Sequence, residues 1–160
     1  MYLDIFDELE KITLYKKRQN AKNNRLEFPE HRGCVFGYVR ERYSGKVNLS
    51  LYSRKYPHIY EMMKQIGEQI CKHPFTSIQV NRNLVCPKHK DKKNIGPSTI
   101  VSFGNYTGCK LVIEDQICDA YETPIEFNGF EKEHYNTDDL QGIKYSLIFY
   151  NIAIAKKITQ

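Results

Sequence analysis

The sequence predicts a mostly-β α+β fold, an antiparallel sandwich or barrel with helices from the first third of the chain packed on one sheet. Short strand-like runs separated by turn residues fill the chain from Phe75 onward. Two stretches with apolar residues at helical spacing come before them. Many short strands after a packing helix are typical of a sheet that buries one face against helices.

The chain is long enough to bury one hydrophobic core. It has 160 residues and a mass of 18.9 kDa, with 41% hydrophobic and 27% charged residues. These values are typical of a globular protein. We therefore expect one domain over 1–160, with a helical and strand-containing buttress at 1–74 and a β core at 75–152 that carries the candidate site.

Two helices are predicted in the front part of the chain. Apolar residues recur every three positions in the segment 2–15, which predicts an amphipathic helix. The polar, basic segment 16–25 is predicted to be a solvated loop, with an arm that contacts phosphates as the alternative. A second helix begins at Pro57, which the first turn tolerates, and ends before Pro74.

The strands are predicted from β-type runs bounded by turn residues. Two flank a Ser44-Gly45 turn, and five follow the second helix. They are expected at 35–42, 47–52, 75–81, 98–103, 110–114, 124–128 and 143–151.

Alternation in the last strand makes a testable prediction about Lys144. Side chains at i and i+2 share a face of a strand, so Lys144 and Ser146 lie together, opposite Tyr145 and Leu147. A buried lysine is costly unless a charge pairs with it. If Lys144 faces inward, it therefore calls for a bound carboxylate. The alternative is that this face is the solvated side of the sheet.

The residues with the clearest chemical meaning are His89, Asp91 and His134. Two imidazoles and one carboxylate, with other positions open, form the facial triad of non-haem Fe(II) oxygenases. His89 and Asp91 share a face of a strand, and His134 follows His89 by 45 residues (134 − 89). A basic residue and a hydroxyl downstream, Lys144 and Ser146, suit the far end of a dicarboxylate co-substrate.

Cysteine usage and the N-terminus indicate the cellular environment. The five cysteines have irregular spacing and no C-x-x-C, so neither a disulfide framework nor a cysteine-based zinc site follows. No apolar run approaches the roughly 20 residues of a membrane span, and Asp4 is acidic where a signal peptide is basic. We expect an intracellular protein, cytoplasmic or nuclear, in a reducing compartment and without membrane contact.

The charge balance permits a polyanionic partner. There are 24 basic and 19 acidic residues, a formal net charge of +5. Four lysines crowd the histidine motif, where they would suit a phosphate backbone or serve only solubility. They are Lys88, Lys90, Lys92 and Lys93.

The segment 81–151 resembles the double-stranded β-helix (jelly-roll or cupin-like) core of Fe(II)/2-oxoglutarate-dependent dioxygenases. The H-x-D…H pattern of that superfamily falls on His89, Asp91 and His134. Its basic 2-oxoglutarate residue falls on Lys144 and the accompanying hydroxyl on Ser146. The runs 89–94 and 102–111 look like the H-x-D-x-x-N and F-G-x-x-x-G-G-x-L stretches of the TET/JBP-type branch. Members of that branch oxidise the methyl group of modified pyrimidines in DNA.

Two residues depart from the pattern of this branch. Cys109 stands where the second glycine is usual, which either narrows the pocket or changes a turn. Lys144 replaces the commoner arginine, so a bidentate contact with a carboxylate becomes a single-point contact.

The resemblance implies a catalytic centre and its cofactors. His89, Asp91 and His134 would bind Fe(II), with 2-oxoglutarate and O₂ as the other reactants and succinate and CO₂ as co-products. Lys144 and Ser146 would bind the distal carboxylate of 2-oxoglutarate through charge-assisted hydrogen bonds. Asn81 and Asn83 would bind the co-substrate or hold a metal ligand in place; the alternative is that they are strand-end amides.

Three functional hypotheses remain open from the sequence. The first is a dioxygenase that oxidises a methylated nucleic-acid base. The second is the same chemistry on a prolyl, lysyl or asparaginyl side chain or on a small molecule. The third is a non-catalytic binding module on the same fold. With 160 residues, specificity would come from the N-terminal third or from a partner protein.

Overall fold

The computed structural model describes residues 1–12, 14–16, 32–90 and 96–152. Most of the basic segment 16–25 lies outside these ranges, as do Asp91, Lys92 and Lys93. In chain order the elements are α1 (Tyr2–Glu10), β1 (Tyr15–Lys16), β2 (Arg32–Arg40), β3 (Val47–Leu49), α2 (Leu51–Lys55), α3 (Pro57–Ile70), β4 (Ser77–Arg82), β5 (Ser98–Thr107), β6 (Leu111–Ile113), β7 (Gln116–Cys118), β8 (Ile125–Phe127), β9 (His134–Asn136) and β10 (Gln141–Tyr150).

Helix α3 confirms the prediction of a helix that begins at Pro57. Its buried side chains Ile59, Met63 and Ile66 follow helical spacing and pack in the core. Helix α1 is shorter than predicted, because the chain leaves it after Glu10 and pairs with β2 as strand β1. None of the helices in the described ranges has both the length and the apolarity to cross a bilayer.

The predicted strand at 47–52 is shorter in the structure, since Ser50 begins helix α2. The hydroxyl of Ser50 accepts a hydrogen bond from the backbone N–H of Ser53 at 3.2 Å, which caps the helix N-terminus. The buried side chains of Tyr52 and Ser53 then hold this helix against the sheet. The capping serine therefore accounts for the difference.

Two antiparallel sheets form the core of the fold. The larger sheet has the order β1-β2-β4-β10-β5-β8, with β3 paired to β2, and the smaller has the order β7-β6-β9. Strands β7 and β9 were not predicted. The mostly-β α+β class and the antiparallel arrangement are confirmed.

Strand β10 lies in the middle of the larger sheet and is buried on both faces. Tyr145, Leu147 and Phe149 face the helices, in a core that includes residues of α1 and α3. Lys144 and Ser146 lie on the opposite face and are only 3% and 8% exposed. The alternative of a solvated face is therefore wrong, and a second apolar cluster, of Ile100, Leu111, Ile113 and Phe127, joins the two sheets on this side.

Candidate functional site

His89 and His134 lie directly opposite each other as an antiparallel pair. The N–H of His89 donates to the carbonyl of His134 at 3.1 Å, and the N–H of His134 donates to the carbonyl of His89 at 3.0 Å. Residues paired in this way project their side chains to the same face. The two imidazole centroids are consequently 4.3 Å apart, with the rings tilted by 58°.

Backbone carbonyls orient both imidazoles in the same way. The Nδ1 of His89 lies 2.7 Å from the carbonyl oxygen of Pro87, and the Nδ1 of His134 lies 3.0 Å from that of Lys132. A carbonyl oxygen only accepts, so each Nδ1 carries the proton and donates it. In the neutral ring the lone pair is then on Nε2, the state that a metal-binding histidine requires.

Packing fixes the ring of His134 further. It is 7% exposed, and Phe127 meets it edge to face with the ring centroids 4.9 Å apart. His89 is half-buried on the more open side of the pair. One imidazole is thus held in the apolar cluster between the sheets, and the other remains closer to solvent.

The two imidazoles line a cavity of about 70 Å³ between the sheets. Asn81 and Ser146, which are register partners on β4 and β10, form part of its opposite wall. Ser102 on β5 continues the same row, and its hydroxyl lies 3.2 Å from that of Ser146. A polar row thus crosses three strands of the larger sheet, and its members Asn81 and Ser146 line the cavity of the histidines.

Lys144 lies beside this row, in an adjoining cavity of about 10 Å³. Its ammonium donates to the carbonyl oxygen of Cys109 at 2.7 Å and is 3.3 Å from the sulfur of the same residue. It also lies 5.6 Å from the ring centroid of Tyr106, within range of a cation–π interaction. The side chains of Ile100, Leu111 and Asn136 border both cavities.

Burial changes the pKa values of the two titratable side chains next to Lys144. Burial raises the pKa of the Cys109 thiol, and the ammonium of Lys144 opposes that change. Burial also raises the pKa of Tyr106 to about 12. Both groups stay protonated at neutral pH and contribute hydrogen bonding rather than charge.

Cys109 occupies the conformation that explains why glycine is usual at its position. Its φ is 53°, in the left-handed region. The side chain of Asp139 accepts a hydrogen bond from the Cys109 N–H at 2.8 Å and another from the Thr137 hydroxyl at 2.6 Å. The hydrogen bond from Thr137 and then that from Cys109 hold the pKa of Asp139 below its usual range. This turn places the Cys109 carbonyl on the ammonium of Lys144.

The structure gives different surroundings to the two predicted asparagines. Asn81 is 5% exposed and lines the cavity of the histidines. Asn83, just beyond β4 with a φ of 56°, accepts the backbone N–H of Lys144 on its side-chain oxygen at 2.8 Å. The side-chain oxygen of Asn81 accepts a hydrogen bond from the Gln79 amide at 3.1 Å, whereas the contact of Asn83 is with the strand that carries Lys144.

Of the two lysines beside the motif that the structure describes, Lys88 has carboxylates close to its charge. The ammonium of Lys88 lies 3.7 Å from a carboxylate oxygen of Asp115 and 3.6 Å from one of Glu133. These two carboxylates raise the pKa of Lys88. Lys90 is exposed.

The two histidines fit the imidazole half of an iron-binding triad. Asp91 lies outside the described residues, and within the described part of the chain no group of three or more His, Cys, Asp or Glu side chains is placed to hold a metal ion. Adjacent imidazoles, each with Nδ1 on a carbonyl oxygen so that Nε2 is left to bind a metal, suit Fe(II) together with a carboxylate. His89 and His134 stay predicted ligands that the structure brings together, and Asp91 stays the predicted third.

Several residues of the site were not singled out in the sequence. Asn136 accepts the N–H of Cys86 on its side-chain oxygen at 3.0 Å and donates its own N–H to the Cys86 carbonyl at 3.0 Å. It thereby fixes the segment that leads to His89. Ser102 and Phe127 also became evident only from the strand register, since nothing in their local sequence marks them.

The chain matches no protein-family model and no curated protein sequence. Among solved structures it is similar to NgTET1 in complex with 5mC DNA, with 15% identity over 76% of this chain and a TM-score of 0.56. An oxidoreductase of the 2OG-Fe(II) oxygenase family from Burkholderia pseudomallei has 15% identity over 75% of this chain and 66% of that one, with a TM-score of 0.45. OsALKBH1 has 10% identity over 92% of this chain and 91% of that one, with a TM-score of 0.36.

The match to NgTET1 shows that this chain has the same fold. The chain spans 61% of the length of NgTET1. The resemblance to the dioxygenase superfamily, with TET-like architecture, is confirmed at the level of the fold.

Proposed function

We propose that this protein is an Fe(II)- and 2-oxoglutarate-dependent dioxygenase that oxidises a methylated nucleic-acid base. The observation that carries the proposal is the bridged pair His89 and His134, with each Nδ1 donating to a carbonyl and both rings in one cavity. The buried Lys144 beside that cavity provides the second half of the site.

In this proposal His89 and His134 bind Fe(II) through Nε2, and Asp91 provides the carboxylate ligand. Iron, 2-oxoglutarate and O₂ together supply the oxidising power that inserts oxygen at a substrate C–H bond and yields succinate and CO₂. The chain orients these reactants and excludes water. The carbonyls of Pro87 and Lys132 keep the imidazoles in the required tautomer.

The co-substrate would lie between the histidines and Lys144. Its distal carboxylate would pair with the ammonium of Lys144 and the hydroxyl of Ser146. The two cavities share Ile100, Leu111 and Asn136, so movement of these side chains would join them into one site. Asn81 would bond the end of the co-substrate nearer the metal.

The double-stranded β-helix belongs to the same proposal. The two sheets would be its halves, with the His89–His134 bridge extending the smaller one. The fold match to NgTET1 supports this topology, and the 5mC DNA bound by that protein supports a nucleic-acid substrate.

The decisive experiment measures succinate released from 2-oxoglutarate by the Fe(II)-loaded protein. The reaction is run alone, with DNA that contains 5-methylcytosine, and with DNA that contains thymine, and the nucleosides are identified by mass spectrometry. Succinate with an oxidised base supports the proposal. Succinate with every base unchanged rejects the nucleic-acid substrate, and no succinate with any substrate rejects the enzyme in favour of a binding module.

A protein or small-molecule hydroxylase is the second candidate. The ion pairs of Lys88 with Asp115 and Glu133 favour it, because they neutralise one of the lysines beside the histidine motif that were expected to attract phosphates. The same succinate assay with peptide pools and with metabolite mixtures separates this candidate from the first.

A further inference from the structure

A second positively charged surface lies on the loop between β2 and β3 together with helix α2. Residues 40–55 contain five basic side chains and one acidic, a formal charge of +4 (5 − 1), against +5 for the whole chain. All five basic side chains are exposed. With the tyrosine at the tip of the loop they form what we call the basic hairpin surface, which comprises Arg40, Arg42, Tyr43, Lys46, Arg54 and Lys55.

The hairpin is ordered by contacts within itself. The guanidinium of Arg40 donates to the carbonyl oxygen of Gly45 at 2.9 Å. Glu41, the one acidic residue, accepts hydrogen bonds from the Ser44 hydroxyl and the Asn48 amide at 2.5 Å each. These hydrogen bonds lower the pKa of Glu41, and Lys46 and Arg54 add to the effect from nearby. The carboxylate of Glu41 thus stabilises the conformation of the loop through these hydrogen bonds.

Helix α2 is fixed to the same hairpin. The backbone N–H of Gly37 donates to the Ser53 hydroxyl at 2.6 Å, and the N–H of Ser50 donates to the Gly37 carbonyl at 2.8 Å. The basic end of α2, which carries Arg54 and Lys55, is therefore held in one position relative to β2. A preorganised set of cations loses less conformational entropy when it binds a polyanion.

Tyr43 gives this surface an aromatic element. Its ring is 93% exposed, and the guanidinium of Arg42 lies 5.7 Å from the ring centroid. Packing of the core does not explain a tyrosine that buries so little. An exposed aromatic ring among arginines is the arrangement on which proteins stack the bases of single-stranded nucleic acids.

The basic hairpin surface is separate from the histidine cavity. Gly37 pairs with Ser77 at the start of β4, whereas Asn81, near the other end of β4, pairs with Ser146 in the cavity wall. Four residues of strand separate these levels, about 13 Å. The hairpin extends further in the direction away from the cavity.

We infer that the basic hairpin surface binds a single-stranded nucleic acid, with the cations on phosphates and Tyr43 stacked on a base. The inference rests on the proposed function in that it names the partner which presents the base to the histidine cavity. It places the main electrostatic contact with the strand at the hairpin. Near the histidines, by contrast, the charge of Lys88 is compensated by Asp115 and Glu133. The binding itself needs neither iron nor 2-oxoglutarate.

The test uses the full chain without metal and a fluorescein-labelled oligothymidine strand of about 20 nucleotides. Fluorescence anisotropy gives Kd at several salt concentrations. The variant R42Q/R54Q is compared with K11Q/K110Q, which removes the same charge from exposed positions elsewhere. We expect R42Q/R54Q to raise Kd about tenfold and to flatten the slope of log K against log salt by about 1.4, with little change in the control.

The stacking contact is tested at Tyr43. Tyr43→Ala is expected to raise Kd about fivefold or more, and Tyr43→Phe, which keeps the ring, to retain the affinity of the natural chain. Equal weakening by R42Q/R54Q and K11Q/K110Q would show that net charge alone attracts the strand, and would overturn the inference. Binding to phosphatidylserine vesicles without binding to oligothymidine would overturn it as well.

The two proposals fail separately. Oligothymidine binding at the hairpin without oxidation of any base would leave this inference intact and reject the proposed substrate. Base oxidation that R42Q/R54Q does not affect, together with an unchanged Kd for oligothymidine, would support the proposed function and reject the binding role of the hairpin.

Discussion

Asn83 and Lys144 are joined by two hydrogen bonds of equal length. The backbone N–H of Asn83 donates to the carbonyl oxygen of Lys144 at 2.8 Å, and the backbone N–H of Lys144 donates to the side-chain oxygen of Asn83 at 2.8 Å. The side-chain oxygen of Asn83 therefore replaces the backbone carbonyl with which a longer β4 would accept the N–H of Lys144. This contact fixes the backbone from which the side chain of Lys144 extends into its cavity.

Asn83→Ala is expected to weaken the use of 2-oxoglutarate through Lys144. Loss of the acceptor leaves a buried N–H unpaired, at a cost of about 1 to 2 kcal/mol. We expect KM for 2-oxoglutarate to rise about fivefold with a small change in kcat. Asn83→Asp, which keeps the acceptor oxygen, is the control. A fall in melting temperature with KM unchanged would show a structural role alone.

Lys144→Ala should raise the requirement for 2-oxoglutarate far more than the requirement for iron. A charge-assisted hydrogen bond is worth about 1.5 to 3 kcal/mol, so KM for 2-oxoglutarate should rise about 10- to 100-fold. Lys72→Ala, at an exposed lysine that lines neither cavity, is the matched control. Steady-state kinetics with each reactant varied in turn measures both requirements. Equal effects on the two would remove Lys144 from the co-substrate site.

His89→Ala should abolish tight iron binding while the fold persists. Loss of one of three ligands is expected to weaken Fe(II) at least about 100-fold. Anaerobic titration with Fe(II) measures the affinity, and circular dichroism measures the fold. His58→Ala, at an exposed histidine of α3, should bind iron as the natural chain does.

Asp91→Ala is expected to behave as His89→Ala does, because the sequence assigns Asp91 as the carboxylate ligand. The variant should lose iron-dependent turnover and keep the melting temperature of the natural chain. Full turnover in Asp91→Ala would refute the assignment of the third ligand.

Stability at acid pH should depend on Glu10, which joins α1 to the larger sheet. Its carboxylate accepts hydrogen bonds from the Tyr145 hydroxyl at 2.5 Å and the Arg82 guanidinium at 3.2 Å. Burial on its own would raise the pKa of Glu10, but these bonds outweigh it and the pKa is lowered. Because the pKa is lowered in the folded state, the ionised carboxylate stabilises the fold fully at pH values above the pKa of Glu10 in the unfolded chain. This contribution is lost as pH falls through the pKa of Glu10 in the folded chain.

Glu10→Gln should therefore lower the free energy of unfolding by about 0.5 to 1 kcal/mol at pH 7, the range of a partly exposed ion pair. The difference from the natural chain should shrink as pH falls below the ordinary pKa of a glutamate, about 4.3, and disappear below the lowered folded pKa. Glu8→Gln, on the same helix and paired with Lys11 at 3.3 Å, is the control. Urea unfolding at several pH values measures both variants. A difference from the natural chain that persists at low pH would contradict the role of the charge.

The spacing of apolar residues predicted the elements in which that spacing follows a single helical or strand period. The apolar spacing in α3 and the alternation in β10 gave the right element and, for β10, the right pair of faces. The sequence did not predict that both faces of β10 are buried. Strands were expected where β6 and β8 lie, but the packing of their residues over this face depends on how the strands pair. Strand β9 was not predicted, because three residues are too few for alternation to be visible.

The structure brings together His89 and His134, which the sequence singled out, but the residues that hold them could not be predicted. H-x-D with a distant histidine is the pattern of a facial triad, and the metal-binding role of these residues stays a prediction. Asn136 and Ser102 act through positions that only the pairing of strands brings close, so a single sequence contains no local signal for them. Asn83 was predicted to bind the co-substrate or hold a metal ligand, with a strand-end amide as the alternative, and in the structure its side-chain oxygen accepts the backbone N–H of Lys144.

The central place of β10 has a consequence for how the protein acquires its site during synthesis. The strand pairs Ser146 with Asn81 and with Ser102, partners 65 and 44 residues earlier in the chain (146 − 81 and 146 − 102). Bringing such distant segments together costs loop-closure entropy before their hydrogen bonds can form. Assembly of the sheet is therefore expected to be slow. The strand that carries Lys144 and Ser146 leaves the ribosome after His89 and His134, so the two walls of the cavity can come together only once the last strand of the sheet has been synthesised.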